Sequence, residues 1–142
     1  TAVEVGGTDL AIGFETLFAA HGWEGSWRNG IYAFRHYHSN VHEVFGIASG
    51  HAHVEFGGPR GEALELKTGD AVVIPAGVSH FNLGSSNDLL VIGAYPEGES
   101  PDLCRDSAAE RDMALARQQQ VPMPSTDPVY GGAGPLVRAW SR

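Results

Sequence analysis

From Gly30 to Tyr95 the chain is a succession of short apolar or alternating runs: Ile31–His38, His42–Ala48, His51–Phe56, Ala63–Leu66, Ala71–Ile74, Ser79–Leu83 and Leu89–Tyr95. Between them stand Ser39-Asn40, Ser49-Gly50, Gly57-Gly58-Pro59, Thr68-Gly69-Asp70, Pro75-Ala76-Gly77 and Gly84-Ser85-Ser86-Asn87. Strand-length runs bounded by such turn residues predict an antiparallel sandwich or barrel. Composition agrees: 19 Gly and 8 Pro make turns frequent, and only 18% of residues are charged, which disfavours a helix bundle or coiled coil. At 142 residues the chain has the length of one ordinary domain and needs no disulfide or structural metal to fold.

The flanks read differently. Thr8 or Asp9 can cap a helix whose apolar positions are Leu10, Phe14, Leu17 and Phe18, with Gly22 as its stop. Ser107-Ala108-Ala109-Glu110 has capping-box spacing, and the helix it starts should fade by Gln120, before Pro122. The tail from Val121 to Arg142 holds four Pro and three Gly and is expected to run extended over the surface, its Trp140 docked on something apolar. The expected architecture is therefore all-β, one domain over 1–142, with a barrel core at about 28–96, an N-terminal helix at 9–21, and a C-terminal helix and tail at 107–142.

Seventeen acidic against nine basic residues leave a formal charge of -8, which argues against a nucleic-acid partner. No run approaches the roughly 18 apolar residues of a membrane helix, and no basic region precedes an apolar stretch at the N-terminus, so neither a membrane span nor a secretory signal is expected. Cys104 is the one cysteine, which fits a reducing, cytoplasmic compartment.

Chemistry concentrates in the histidines. Five of the seven (36, 38, 42, 51 and 53) fall within eighteen residues. His36 and His38 sit at i, i+2 in a predicted strand, so both rings leave one face. Glu43 opens the returning strand after the Ser39-Asn40 turn, and His80 is reachable in a closed sheet. Three neutral imidazoles and a carboxylate suit one divalent first-row ion: Fe, Mn, Ni or Zn. His42, adjacent to Glu43, should face the other way. His51 and His53 repeat the His-x-His pattern, but Ala52, Val54 and Phe56 claim the inner face and turn them outward. His21, at the end of the first helix, is read as structural. Cys104 has Arg105 beside it, which favours a thiolate, yet a buried inert thiol is the simpler reading. Trp23, Trp27 and Trp140 are read as core or contact aromatics.

Gly30-x5-His36-x-His38-x4-Glu43-x6-Gly50 resembles the first metal-binding motif of the cupin superfamily, and Gly69-x5-Pro75-x-Gly77-x2-His80 resembles the second. The second motif usually closes with Asn four residues after its histidine; here Gly84 holds that place and Asn82 is the nearest amide. His36-Tyr37-His38-Ser39, His42-Glu43, Gly93-Ala94-Tyr95-Pro96, Asp102-Leu103-Cys104-Arg105 and Asp127-Pro128-Val129-Tyr130-Gly131 further resemble the YjlB-like branch of single-domain bacterial cupins. The resemblance implies a small antiparallel jelly-roll (double-stranded β-helix) barrel with His36, His38, Glu43 and His80 around a metal. Strand parity then turns Tyr32 and Phe34 inward with the two histidines, Phe45 and Ile47 inward with Glu43, and Val78 and Asn82 inward with His80, as the lining of a mostly apolar pocket.

Four protein ligands on an ion that prefers six leave two positions open, as in catalytic sites. The expectation is a metal-dependent protein acting on a small oxygen-bearing molecule such as a keto acid, diol or carboxylate. Its chemistry would be either of the oxidoreductase (dioxygenase) kind or of the Lewis-acid isomerase or decarboxylase kind. The alternative is a module that binds or senses a small ligand without turning it over, and a separate general base would discriminate the two. Exposed barrel edges and long terminal arms favour a homodimer.

Overall fold

The computed structural model describes residues 9–105, 107–132 and 134–140. Two antiparallel sheets carry the fold. One has the order β1 (Trp23–Asn29), β8 (Leu90–Pro96), β3 (Glu43–Ser49), β6 (Ala71–Ile74). The other has the order β5 (Glu62–Lys67), β4 (His51–Phe56), β7 (His80–Ser85), β2 (His36–Tyr37), β9 (Cys104–Arg105). The sheets do not close into a continuous barrel, but the arrangement is the expected jelly-roll type. Three helices accompany them: α1 (Leu10–Ala20), α2 (Ala108–Gln118) and α3 (Pro135–Trp140).

The apolar interior lies between the sheets. Phe45 and Ile47 of β3, Val91 of β8 and Ile74 of β6 meet Ala52 and Val54 of β4 and Leu66 of β5. Alternate residues of the same strands, Val44, Ile92 and Ala94, face the other way onto Phe14 and Phe18 of α1 and Leu136 of α3. The first sheet is thus covered on both faces, which is why β3 and β8 read as nearly continuous apolar runs. The β4 strand, covered on one face, alternates cleanly: Ala52 and Val54 are buried, His51 and His53 exposed. Each fully buried Phe or Ile side chain here contributes about 1.5–3 kcal/mol of transfer free energy.

Helix α1 starts where expected. The Asp9 carboxylate accepts from the backbone of Ala11 at 2.9 Å and Ile12 at 3.2 Å; Thr8, the other candidate cap, lies outside the described residues. Ser107 caps α2 by accepting from the Glu110 amide at 3.2 Å.

Three expectations need correction. Strand β1 has no counterpart among the predicted runs. Its two apolar anchors, Trp23 and Trp27, are an even four apart yet pack against opposite clusters, because a register shift between Glu24 and Trp27 puts a bulge at Gly25, where φ is 66°. The predicted strand Ile31–His38 contracts to His36–Tyr37. Residues before it find no ladder and are tied to β7 by the Asn82 amide on the Tyr32 carbonyl (3.0 Å) and the Asn82 side chain on the Ile31 carbonyl (3.3 Å). The tail is not simply extended: Asp127 and Gly131 form an antiparallel bridge, and α3 follows. Asp127 organises this turn, its carboxylate accepting from Val129, Tyr130 and Leu136 amides at 2.8–3.0 Å. Trp140 packs against His42, ring centroids 4.9 Å apart. Residues 141 and 142 of the predicted tail lie outside the described residues.

Candidate metal centre

Strands β2, β3 and β7 bring four predicted residues to one place. His36 pairs directly with His80 across β2 and β7, and their rings approach to 4.0 Å between centroids. His38 follows one turn of the pleat later, its ring 5.5 Å from each of the others. One donor atom from each of His36, His38 and His80 lies within 4.8 Å of the other two. From β3 on the opposite sheet, the Glu43 carboxylate enters with Oε1 3.2 Å from His38 Nε2 and 3.5 Å from His80 Nε2.

The tautomers follow from the backbone. His38 Nδ1 lies 2.5 Å from the Asp102 carbonyl, and Nδ1 of His36 and His80 face the Phe34 and Val78 carbonyls at 3.4 Å and 3.5 Å. A carbonyl accepts only, so each Nδ1 carries the hydrogen and each Nε2 is left with a lone pair directed inward. Glu43 Oε1 is 2% exposed as a residue and has no hydrogen-bond partner. An unpartnered buried carboxylate oxygen facing imidazole lone pairs is costly unless a cation lies between them. The donor set fits a divalent ion of the imidazole-preferring kind.

Burial sets the protonation of the rings. It lowers His36 and, more strongly, His80, which is pushed down to about 3 with further help from the charges of His36 and His38. Both are neutral and ligand-competent at neutral pH. Burial also pushes His38 down, but Glu43 and the Asp102 carbonyl outweigh it and its pKa is raised. Tyr95, which carries no role in the sequence reading beyond its Gly93-Ala94-Tyr95-Pro96 motif, stands beside the carboxylate. Its oxygen accepts from Trp27 Nε1 at 2.9 Å. Burial first, and then Glu43, raise its pKa well above the usual phenol range, so it stays a donor. Asp102 is another residue whose motif gave no role. Its carboxylate is bound by the Ser39 amide at 2.7 Å, by the Ser39 hydroxyl and by Arg117 Nε at 3.1 Å. Although burial opposes ionisation, the Ser39 hydrogen bonds and Arg117 hold its pKa below the ordinary carboxylate value.

The four residues sit in a cavity of about 400 Å³, also lined by Trp27, Asn29, Ile31, Tyr32, Phe45, Tyr95, Pro101, Asp102 and Leu103. Of the predicted lining residues, Tyr32 and Phe45 are there. Phe34 keeps the predicted face, stacked on Tyr32 at 4.8 Å, but Arg105 covers its ring at 4.0 Å and closes it off. Ile47 is too deep, fully buried in the core between the sheets. Val78 lines a neighbouring cavity, and Asn82 spends its amide on Ile31, Ser85 and Gly84. At Gly84 itself a Cβ would meet nothing within 4 Å, so no close contact demands glycine there.

The remaining histidines separate as expected. His42 turns away, accepting from the Ala76 amide at 2.9 Å through Nδ1. His51 and His53 lie on the outer face of β4 against Glu65, at 3.5 Å and 3.0 Å. His21 caps α1 and contacts the Pro128 carbonyl at 2.9 Å. Cys104 is buried, and the guanidinium near its sulfur is Arg117 at 3.7 Å, not Arg105.

Residues 27–88 match the family model described as a cupin domain. Over 126 residues, 89% of this chain and 76% of the relative, the sequence is 43% identical to "Uncharacterized protein YjlB" of Bacillus subtilis (strain 168). The chain belongs to the cupin superfamily, in the YjlB-like branch. Among solved structures, this cupin is similar to KdgF from Halomonas sp. (23% identity, TM-score 0.41, covering 54% of this chain and 88% of that one). It is also similar to acireductone dioxygenase from Bacillus anthracis with a cadmium ion in its active centre (21% identity, TM-score 0.44, 63% and 61%). No helix among the cupin's described residues is long and apolar enough to cross a membrane.

Proposed function

We propose that the cupin holds one divalent first-row metal, Fe, Mn, Ni or Zn, with His36, His38, Glu43 and His80, and acts on a small oxygen-bearing molecule in the adjoining cavity. One observation carries this reading: three backbone-anchored imidazoles present their free nitrogens to a buried carboxylate oxygen that has no other partner. The ion would supply Lewis acidity or, if redox-active, dioxygen chemistry, to a keto acid, diol or carboxylate bound through its oxygens.

The chain's own residues do the rest. Trp27 donates to the Tyr95 oxygen and so holds the phenol beside the Glu43 carboxylate. The Asp102 carbonyl fixes the His38 ring. Phe45, Ile31 and Trp27 make the wall apolar and keep water scarce. Tyr95 keeps its proton to high pH and can donate it to an oxygen in the cavity. Non-catalytic capture of the same ligand is the second reading, and one observation favours it. Besides the four ligands, the acid–base groups among the described lining residues are two phenols, Tyr32 and Tyr95, and Asp102; Tyr95 and Asp102 are already hydrogen-bonded, and Tyr32 stands at the exposed mouth.

We further read 1–142 as one cupin unit working as a cytoplasmic homodimer; the buried, unpaired Cys104 and the open sheet edges support this. The test is metal analysis of protein purified without an affinity tag, compared with a His36→Ala, His38→Ala variant. One equivalent in the parent and none in the variant is the expected result; equal metal in both would end the reading. Oxygen uptake against keto acids, diols and carboxylates, with product analysis under argon, then separates redox turnover, Lewis-acid turnover and simple capture.

A further inference from the structure

The wall of the cavity carries information about its occupant that the metal ligands do not. Among the described lining residues there is no Lys or Arg. The nearest guanidiniums are engaged elsewhere: Arg105 lies over Phe34, Arg117 is paired with Asp102, and Arg35 is paired with Glu55 at 2.7 Å. A divalent ion with Glu43 leaves one positive charge, and the Asp102–Arg117 pair adds none. One anionic group on an incoming molecule is therefore compensated at the ion. A second would be desolvated against apolar wall and near two carboxylates, with no counter-charge.

The rest of the wall is flat and aromatic. Trp27 lies on bare backbone: a Cβ at Gly93 would come within 2.0 Å of its ring. The indole is held by its hydrogen bond to Tyr95 and stands edge-on to Phe45, centroids 5.8 Å apart at 80°. Tyr32, 53% exposed, stands edge-on to His36 at 5.0 Å and marks the mouth, with Leu103 also exposed. At about 400 Å³ the space is at the small end of ordinary ligand sites, which run from about 300 to 1,000 Å³. We propose that the occupant is a two-oxygen chelating molecule with one aromatic ring, an aromatic vicinal diol that carries one negative charge once one hydroxyl has released its proton to solvent, and that the cavity discriminates against phosphorylated and dicarboxylic molecules. The two diol oxygens would be held by the ion and the ring would lie among Trp27, Phe45 and Tyr32, where ring–ring contacts reward a flat apolar body. This inference rests on the metal reading above.

The experiment titrates tag-free protein of measured metal content with 4-nitrocatechol, following its absorbance and tryptophan fluorescence, and with 2-phosphoglycolate and malonate as competitors. We expect saturable nitrocatechol binding at least about tenfold tighter than either competitor. Trp27→Phe should remove most of the fluorescence quenching and weaken binding severalfold. Leu103→Arg, a change at an exposed position, should supply the missing cation and improve phosphoglycolate binding by about tenfold, a readout that does not depend on repacking the interior. Protein with one equivalent of metal that takes phosphoglycolate or malonate as tightly as nitrocatechol, or that takes none of the three, overturns this inference and leaves the metal reading intact. Equal metal in the parent and the His36→Ala, His38→Ala variant overturns both.

Discussion

The molecule contains the same short pattern twice, once inside and once outside. His36 on β2 with His38 just after it, and His51 with His53 on β4, are both His-x-His, and each pair has a glutamate at hand, Glu43 or Glu65. Their surroundings differ. The side chains of His51 and His53 are 61% and 49% exposed, with Nδ1 turned to the Glu65 carboxylate. The inner rings are mostly buried, their Nδ1 atoms are held by backbone carbonyls, and His80 arrives from a third strand. Spacing alone puts two rings on one face. What distinguishes the inner pair is that the backbone has already chosen which nitrogen is free, and that desolvation leaves the carboxylate no water to turn to.

Conservative changes to the two glutamates should separate the regions most sharply. Glu43→Gln is expected to weaken metal binding by at least the ~10–100-fold typical of disturbed metal shells, measured by chelator competition. Glu65→Gln should leave the same curve in place; equal losses from both would erase the distinction. Acid should act next. His36, His42 and His80 have pKa values lowered by burial, so the unfolded chain binds more protons than the folded one below their ordinary value of about 6.5. Metal-free protein should accordingly lose stability as pH falls through that value. His80, pushed down to about 3, carries the largest part of this loss, on the order of 1 kcal/mol at pH 5.5, with His38 acting in the opposite sense. Urea unfolding at pH 7.5 and 5.5 checks the sign; a more stable protein at pH 5.5 would contradict it.

Smaller effects follow. Tyr95→Phe removes the acceptor of the Trp27 indole N–H and is expected to cost about 1 kcal/mol in the metal-loaded protein, seen as a lower unfolding midpoint. His51→Ala with His53→Ala should change stability by no more than about 0.5 kcal/mol and tag-free metal content not at all. A drop in tightly bound metal in that variant would mean that the outer pair is the working one.

The legibility of the chain followed the same inside–outside logic. Strands β3 to β8 were readable because turn residues bracket each run, and the parity of β4 was readable because one of its faces is wet. Strand β1 was hidden by its bulge at Gly25, and the tail helix α3 by a proline and glycine content that looks like loop, although Pro135 stands at its first position, where proline is tolerated. In the site, residues fixed by strand register came through: His36 opposite His80, and Glu43 on the facing sheet. Residues that depend on how deeply a strand plunges did not, since period-2 parity gives a direction and not a depth. Ile47 and Phe45 share a face, yet only Phe45 reaches the cavity. Asp102 and Tyr95 reach the site from strand β8 and the connection that follows it, a placement no local pattern encodes.

Pro101, Asp102 and Leu103 wall the cavity, and the carbonyl of the middle one steadies His38. The doorway and one of the hinges of the ion's cage are thus cut from the same three residues. Anything that props the entrance ajar also slackens the grip on the ion, so visitors that barge through should leave the cage looser behind them than those that slip past Tyr32.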